Sequence, residues 1–152
     1  MTTVLEEVTS DELSREHIER RVEDWAQRID DLYRAIASWL PGEWRGERDR
    51  NVRMDAPLMR KFGVPSRELP ILTLMHEGRP AGYVEPRGLW IIGLNGRLDL
   101  HYGAAQYIVF DEAENFAPPD WRITLLQDRT NRDRFDRDKL LSILEHAPTA
   151  GN

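Results

Sequence analysis

Cysteine is missing from all 152 residues. That excludes disulfides, thiol nucleophiles and Cys-ligated zinc or iron–sulfur centres. Lysine is nearly missing too, with only Lys61 and Lys139 among 21 basic residues, and the arginines are scattered along the chain. Net positive charge is lacking. The formal balance of −6 argues against sequence-independent binding to nucleic acid or to an anionic membrane. No apolar run approaches the roughly 18 residues of a membrane-spanning helix, and the acidic first residues have no secretory pattern. These features point to a cytoplasmic chain without membrane attachment. No phosphate loop or nucleophile elbow occurs, and no motif fixes a metal-ligand set. No cofactor, no metal and no catalytic residue is therefore assigned.

What the chain does contain is periodicity. From a Thr9/Glu12 capping box to Leu40 no Gly or Pro interrupts, and Pro41-Gly42 then stops the run. Residues 1–9 read as a flexible lead-in and 10–40 as one long helix. Ile18, Val22, Trp25, Ile29, Leu32, Ile36 and Trp39 fall in alternating steps of four and three, a heptad seam. The stripe is narrow early and widened late by Ala26, Tyr33 and Leu40. One expectation is that the late half packs on the chain's own sheet while the early half projects towards another helix. Arg21 and Arg28 would then flank the seam and select its partner. The competing expectation lays the whole helix on the sheet's mixed polar and apolar face.

Residues 43–70 alternate charge without apolar period and read as an irregular connection, with a short helix at Pro57–Lys61. Residues 71–126 read as an antiparallel sheet of five to six strands in meander order, because short β-rich runs follow one another without helical pattern between them. Glu77-Gly78 marks one hairpin. Asn95-Gly96 marks another, the strongest short-range turn signal in the chain. Its expected register sets Leu94 against Arg97, Ile92 against Asp99 and Trp90 against His101. On the other face, Gly93 meets Leu98, Ile91 meets Leu100 and Leu89 meets Tyr102, and this face is read as core. The segment 127–134 reads as a polar lead into a final helix over 136–147. The resulting class is α+β: a long N-terminal helix, the meander and a C-terminal helix, all in one domain spanning 1–152.

Two functions of different class follow. The first is a bacterial-type, non-enzymatic interaction or assembly protein, with an inhibitor or immunity-like subtype in which negative charge would steer it to a basic target. Its partner is a protein or a second copy, met through the N-terminal helix and the sheet surface. The partner-binding residues would be Ile18, Val22, Trp25 and Ile29 of the seam, with Trp44 as an aromatic anchor. The second is a small enzyme or small-molecule binder that uses His76, Asp99, His101 and nearby carboxylates. Asp99 and His101 alternate on one strand, so the pleat alone puts them on one face. A closed pocket with converging polar groups would favour the second reading, and an open face the first.

Overall fold

The computed structural model describes residues 14–90 and 96–146. Helix α1 (Arg15–Trp39) is followed by strand β1 (Trp44–Met54), the short helix α2 (Pro57–Lys61) and strands β2 (Arg67–His76) and β3 (Arg79–Gly88). Strands β4 (Arg97–Tyr102), β5 (Ala105–Asp111), β6 (Trp121–Leu125) and β7 (Asp128–Arg134) lead to helix α3 (Arg137–His146). The seven strands form one antiparallel sheet in the order β1 to β7, so each strand pairs with its neighbours in sequence. The class is α+β as expected, with seven strands instead of five to six.

Helix α1 is capped by Ser14, whose Oγ accepts from the His17 amide at 3.1 Å. Ser14 is itself extended, so this helix begins after it and not at residue 10. Thr9 and Glu12, the expected cap, lie outside the described residues, as does the expected lead-in 1–9. The seam is buried inside the chain from Ile18 to Ile36, with Ile18, Trp25, Ile29 and Ile36 fully buried and Val22 and Leu32 nearly so, while Trp39 is partly buried. They form one core with Leu72 and Leu74 of β2, Val84 of β3, Leu98 and Leu100 of β4, Val109 of β5 and Ile123 of β6. Each such side chain contributes about 1.5–3 kcal/mol when withdrawn from water. The early half therefore does not project. The helix also lies on the apolar face of the sheet, not on the mixed one. One continuous seam therefore serves both halves of the helix.

Helices α2 and α3 lie on that same face, through Met59 and through Leu140, Ile143 and Leu144. Trp39 meets Phe135 edge-on with ring centroids 5.6 Å apart, and Tyr102 donates its O–H to the Leu144 carbonyl at 3.1 Å.

The connection expected over 43–70 is largely strand: β1 pairs with β2 from Trp44↔His76 to Met54↔Arg67. Its charged residues lie on the sheet's outer edge, where strands tolerate and use charge. The polar segment before the last helix is likewise the opposite edge strand, β7, and is exposed along its whole length.

The Glu77-Gly78 hairpin is present, with φ of 52° and 81° at its two central residues. The hairpin expected at Asn95-Gly96 has a different partner. Strand β4 lies between β3 and β5, with Gly82↔Tyr102, Tyr83↔His101, Glu85↔Asp99 and Gly88↔Arg97. Both of its edges are taken, so the expected pairings of Leu89–Leu94 with Arg97–Tyr102 are replaced. Residues 79–88 already make a long strand. The next two residues close the end of the core, Leu89 buried and Trp90 packed beside it. Residues 91–95, and with them Asn95, lie outside the described residues. Gly96 does carry a positive φ, 109°.

Candidate functional site on the helix-free sheet face

Alternation divides each strand between two environments. Leu98, Leu100 and Tyr102 face the helices, and Arg97, Asp99 and His101 face away. None of the three described helices covers the second face, on which Ile71, Thr73, Met75, Ile108, Phe110 and Thr124 are buried all the same. Long polar side chains provide their cover; the Arg132 guanidinium, for example, lies 5.2 Å from the centroid of the Phe110 ring.

Asp99 is the centre of this face and only 1% exposed. Oδ1 accepts from Arg97 Nε at 2.9 Å, and Oδ2 accepts from Gln106 Nε2 at 3.0 Å and from Arg97 Nη2 at 3.3 Å. Arg87 Nε lies 3.6 Å from Oδ2. A carboxylate withdrawn from water needs such donors, and charge-assisted bonds are the strong ones. Beside it Glu85 Oε1 stands 3.6 Å from Arg87 and 3.5 Å from His101 Nε2. The His101 ring stacks on Tyr83 with centroids 4.4 Å apart, and the Arg50 guanidinium lies 5.3 Å from the centroid of the Tyr83 ring. These groups border a shallow depression of about 230 Å³, reached by Thr73 and His101. The arrangement is a lattice of paired charges on an open sheet face.

His76 does not join it. Its ring stacks on Trp44 at 4.4 Å, and Trp44 meets Tyr102 edge-on at 5.8 Å, which places His76 on the helix-bearing side. Asp99 and His101 are thus together and His76 is apart. Among the described residues no group of three or more His, Asp and Glu is disposed to hold a metal ion. Of the expected partner-binding residues, Ile18, Val22, Trp25 and Ile29 are core, and Trp44 is half-buried against it.

Two further features were not apparent in the sequence. Arg28, expected on an exposed flank, is buried and bonded to Asp111 at 2.7 Å. A cavity of about 480 Å³ opens where the end of β1, α2 and the segment after β3 meet over Trp25. The first had one available signal, an arginine recurring a single step from the seam at Arg21 and Arg28. No described helix is long and apolar enough to cross a membrane. Comparison with protein families, with curated proteins and with solved structures found no match to this chain.

Proposed function

We propose that this chain is a non-enzymatic interaction protein that receives a protein partner on the helix-free face of its sheet. The observation that carries the reading is the Asp99 lattice. Asp99 is buried on a face that no described helix covers, and Arg97, Gln106 and Arg87 hold it in place. Charges fixed by their neighbours before binding lose little freedom on association, and they select a partner by register and sign. The apolar ground beneath them, Ile108 and Phe110 among it, offers area to bury once the overlying side chains rearrange. The net charge of −6 favours a basic target and faster encounter with it, as an inhibitor or immunity-like protein would require. The seam of α1 serves this function indirectly, by backing the sheet.

The second class of function is less well supported. Asp99 is saturated by donors, His76 is on the other face, and the depression at His101 is open and shallow.

The test is site-specific photo-crosslinking in the host. A crosslinker at Arg50, on the sheet face, should capture one discrete protein, whereas the same group at Gln27 or Arg34, on the outer side of α1, should not. Capture from α1 alone would sink the reading, and so would an Arg97→Glu variant that stays folded and keeps the captured protein.

A further inference from the structure

A second site lies away from the charged lattice. The cavity of about 480 Å³ is of the size that holds small organic ligands. Its walls are mainly apolar, with Val52, Leu58, Leu69, Leu89 and Trp90 among them, and its rim carries Arg53 and Arg87 against Asp55. Trp25 lines it as well.

The indole of Trp25 is fully buried, and its Nε1 has no hydrogen-bond partner. An orphaned buried donor costs about 1–3 kcal/mol, so one that persists calls for an explanation. The ring is hemmed in along one edge. A Cβ placed on Gly96 would lie 2.2 Å from Cζ3 and 2.5 Å from Cη2 of Trp25, so backbone is packed against the outer edge of the six-membered ring. In an indole the N–H is on the opposite side from that edge. One helical turn away on α1, the Arg21 guanidinium lies 5.7 Å from the centroid of the Trp90 ring, and Trp90 is itself a wall of the cavity. Arg21 is only 8% exposed, and burial pulls its pKa down from the usual value. A buried donor thus lines an apolar chamber whose rim carries two guanidinium groups and a single carboxylate, with Arg21 behind its Trp90 wall.

From this juxtaposition we infer that the cavity binds a small apolar carboxylate, an aliphatic or aromatic acid. Its hydrocarbon body fills the chamber, and its carboxylate accepts from the Trp25 indole and pairs with the Arg53 guanidinium at the rim. Apolar walls with a few converging polar groups are the usual composition of such sites, and arginine is the residue best suited to a carboxylate.

The probes are decanoate and decanol, which share a body and differ in the head group. Each is titrated into the full chain by calorimetry, while nuclear magnetic resonance follows the indole N–H signals. Decanoate should bind saturably and move the Trp25 indole signal downfield, and decanol should bind at least about tenfold more weakly. Ala56→Phe, which fills the chamber, should abolish binding while circular dichroism stays unchanged; Leu58→Trp does the same job should the first variant not fold. The inference is overturned if decanoate does not saturate at about millimolar concentration, or if decanol binds equally well. It is also overturned if the Trp25 signal stays still on binding, or if the filled variants bind like the parent. The sheet-face reading is tested separately, by the crosslinks, since it rests on Asp99, although Arg87 borders both sites.

Discussion

Arg28 and Asp111, 83 residues apart in the chain, meet inside the protein with Nη1 2.7 Å from Oδ2. Neither side chain is more than 5% exposed. Arg28 also bonds Asp24 Oδ2 at 2.7 Å through Nε and the Ala117 carbonyl through Nη2. The other carboxylate oxygen of Asp111 accepts from the amides of Ala113 at 2.9 Å and Asp120 at 2.8 Å. The pair therefore fastens α1 to the end of β5 and shapes the acidic loop between β5 and β6. Asp111→Ala should cost about 3–5 kcal/mol, because Arg28 keeps a buried charge without its main partner. Replacing both by apolar residues should cost less than that. Urea unfolding of the two variants checks the order, and hydrogen exchange at Ala113 and Asp120 should quicken in the first.

Gly96→Ala should destabilise the protein by about 2 kcal/mol or more. The new methyl would fall on the Trp25 ring, and a φ of 109° is one that side chains rarely adopt. The loss comes from packing as well as from the positive φ, so Trp25→Phe should not restore stability fully. Thermal unfolding of the single and double variants measures both parts. A midpoint unchanged in Gly96→Ala would contradict the contact.

Tyr33 sends its hydroxyl to the Pro70 carbonyl at 2.8 Å and the Val84 carbonyl at 3.2 Å, beneath α1. Burial pushes its pKa well above the usual phenol value. A raised pKa in the folded state means that this group's contribution is whole below about pH 10 and is lost as pH climbs beyond it, where the unfolded chain ionises first. Tyr33→Phe should cost about 1–2 kcal/mol near neutrality, since two carbonyls lose a donor. It should also make stability less sensitive to alkali. Unfolding midpoints measured from neutral to strongly alkaline pH, parent against variant, should converge as pH rises.

Val22→Glu should unfold the protein and not merely separate copies of it. Val22 is 4% exposed and sits in the same core as Leu69 and Leu98. An unpaired carboxylate there is costly in a way no surface charge is. Circular dichroism should show the loss of both helix and sheet. A folded variant with altered association would return the seam to the role of an interface between chains.

The core and the faces of the central strands were legible in the sequence. The two-residue alternation of Arg97 to Tyr102 correctly divides Leu98, Leu100 and Tyr102 from Asp99 and His101, because a strand's pleat leaves no other choice. The seam of α1 was legible as a seam, but its partner was not, since the same spacing suits a second helix or a sheet. The two edge strands were hidden for a physical reason. Glu47, Arg48, Asp49 and Arg50 in β1, and all of β7, lie where water reaches them, so their side chains carry no apolar alternation. The hairpin register failed because a local turn signal competes with everything else the strand can pair with. The long run of β3 took the place that Leu89 to Leu94 would have held. Asp99 and His101 could be grouped from the sequence. His76 could not be excluded from them without knowing that Trp44 begins a strand beside it.

A sheet laid down in chain order, with its covering helix first, has a consequence during biosynthesis. Helix α1 leaves the ribosome before any strand that will bury it, and the strands follow at about 5–20 residues per second. Until β2 and β3 arrive with Leu72, Leu74 and Val84 the stripe from Ile18 to Ile36 has no sheet to lie against, and until β4 to β6 bring Leu98, Val109 and Ile123 its cover is incomplete. For that interval the nascent chain displays what a coiled coil displays, and neighbouring chains on the same messenger display it too. In the finished fold Arg21 and Arg28, beside the stripe, are drawn inside as well.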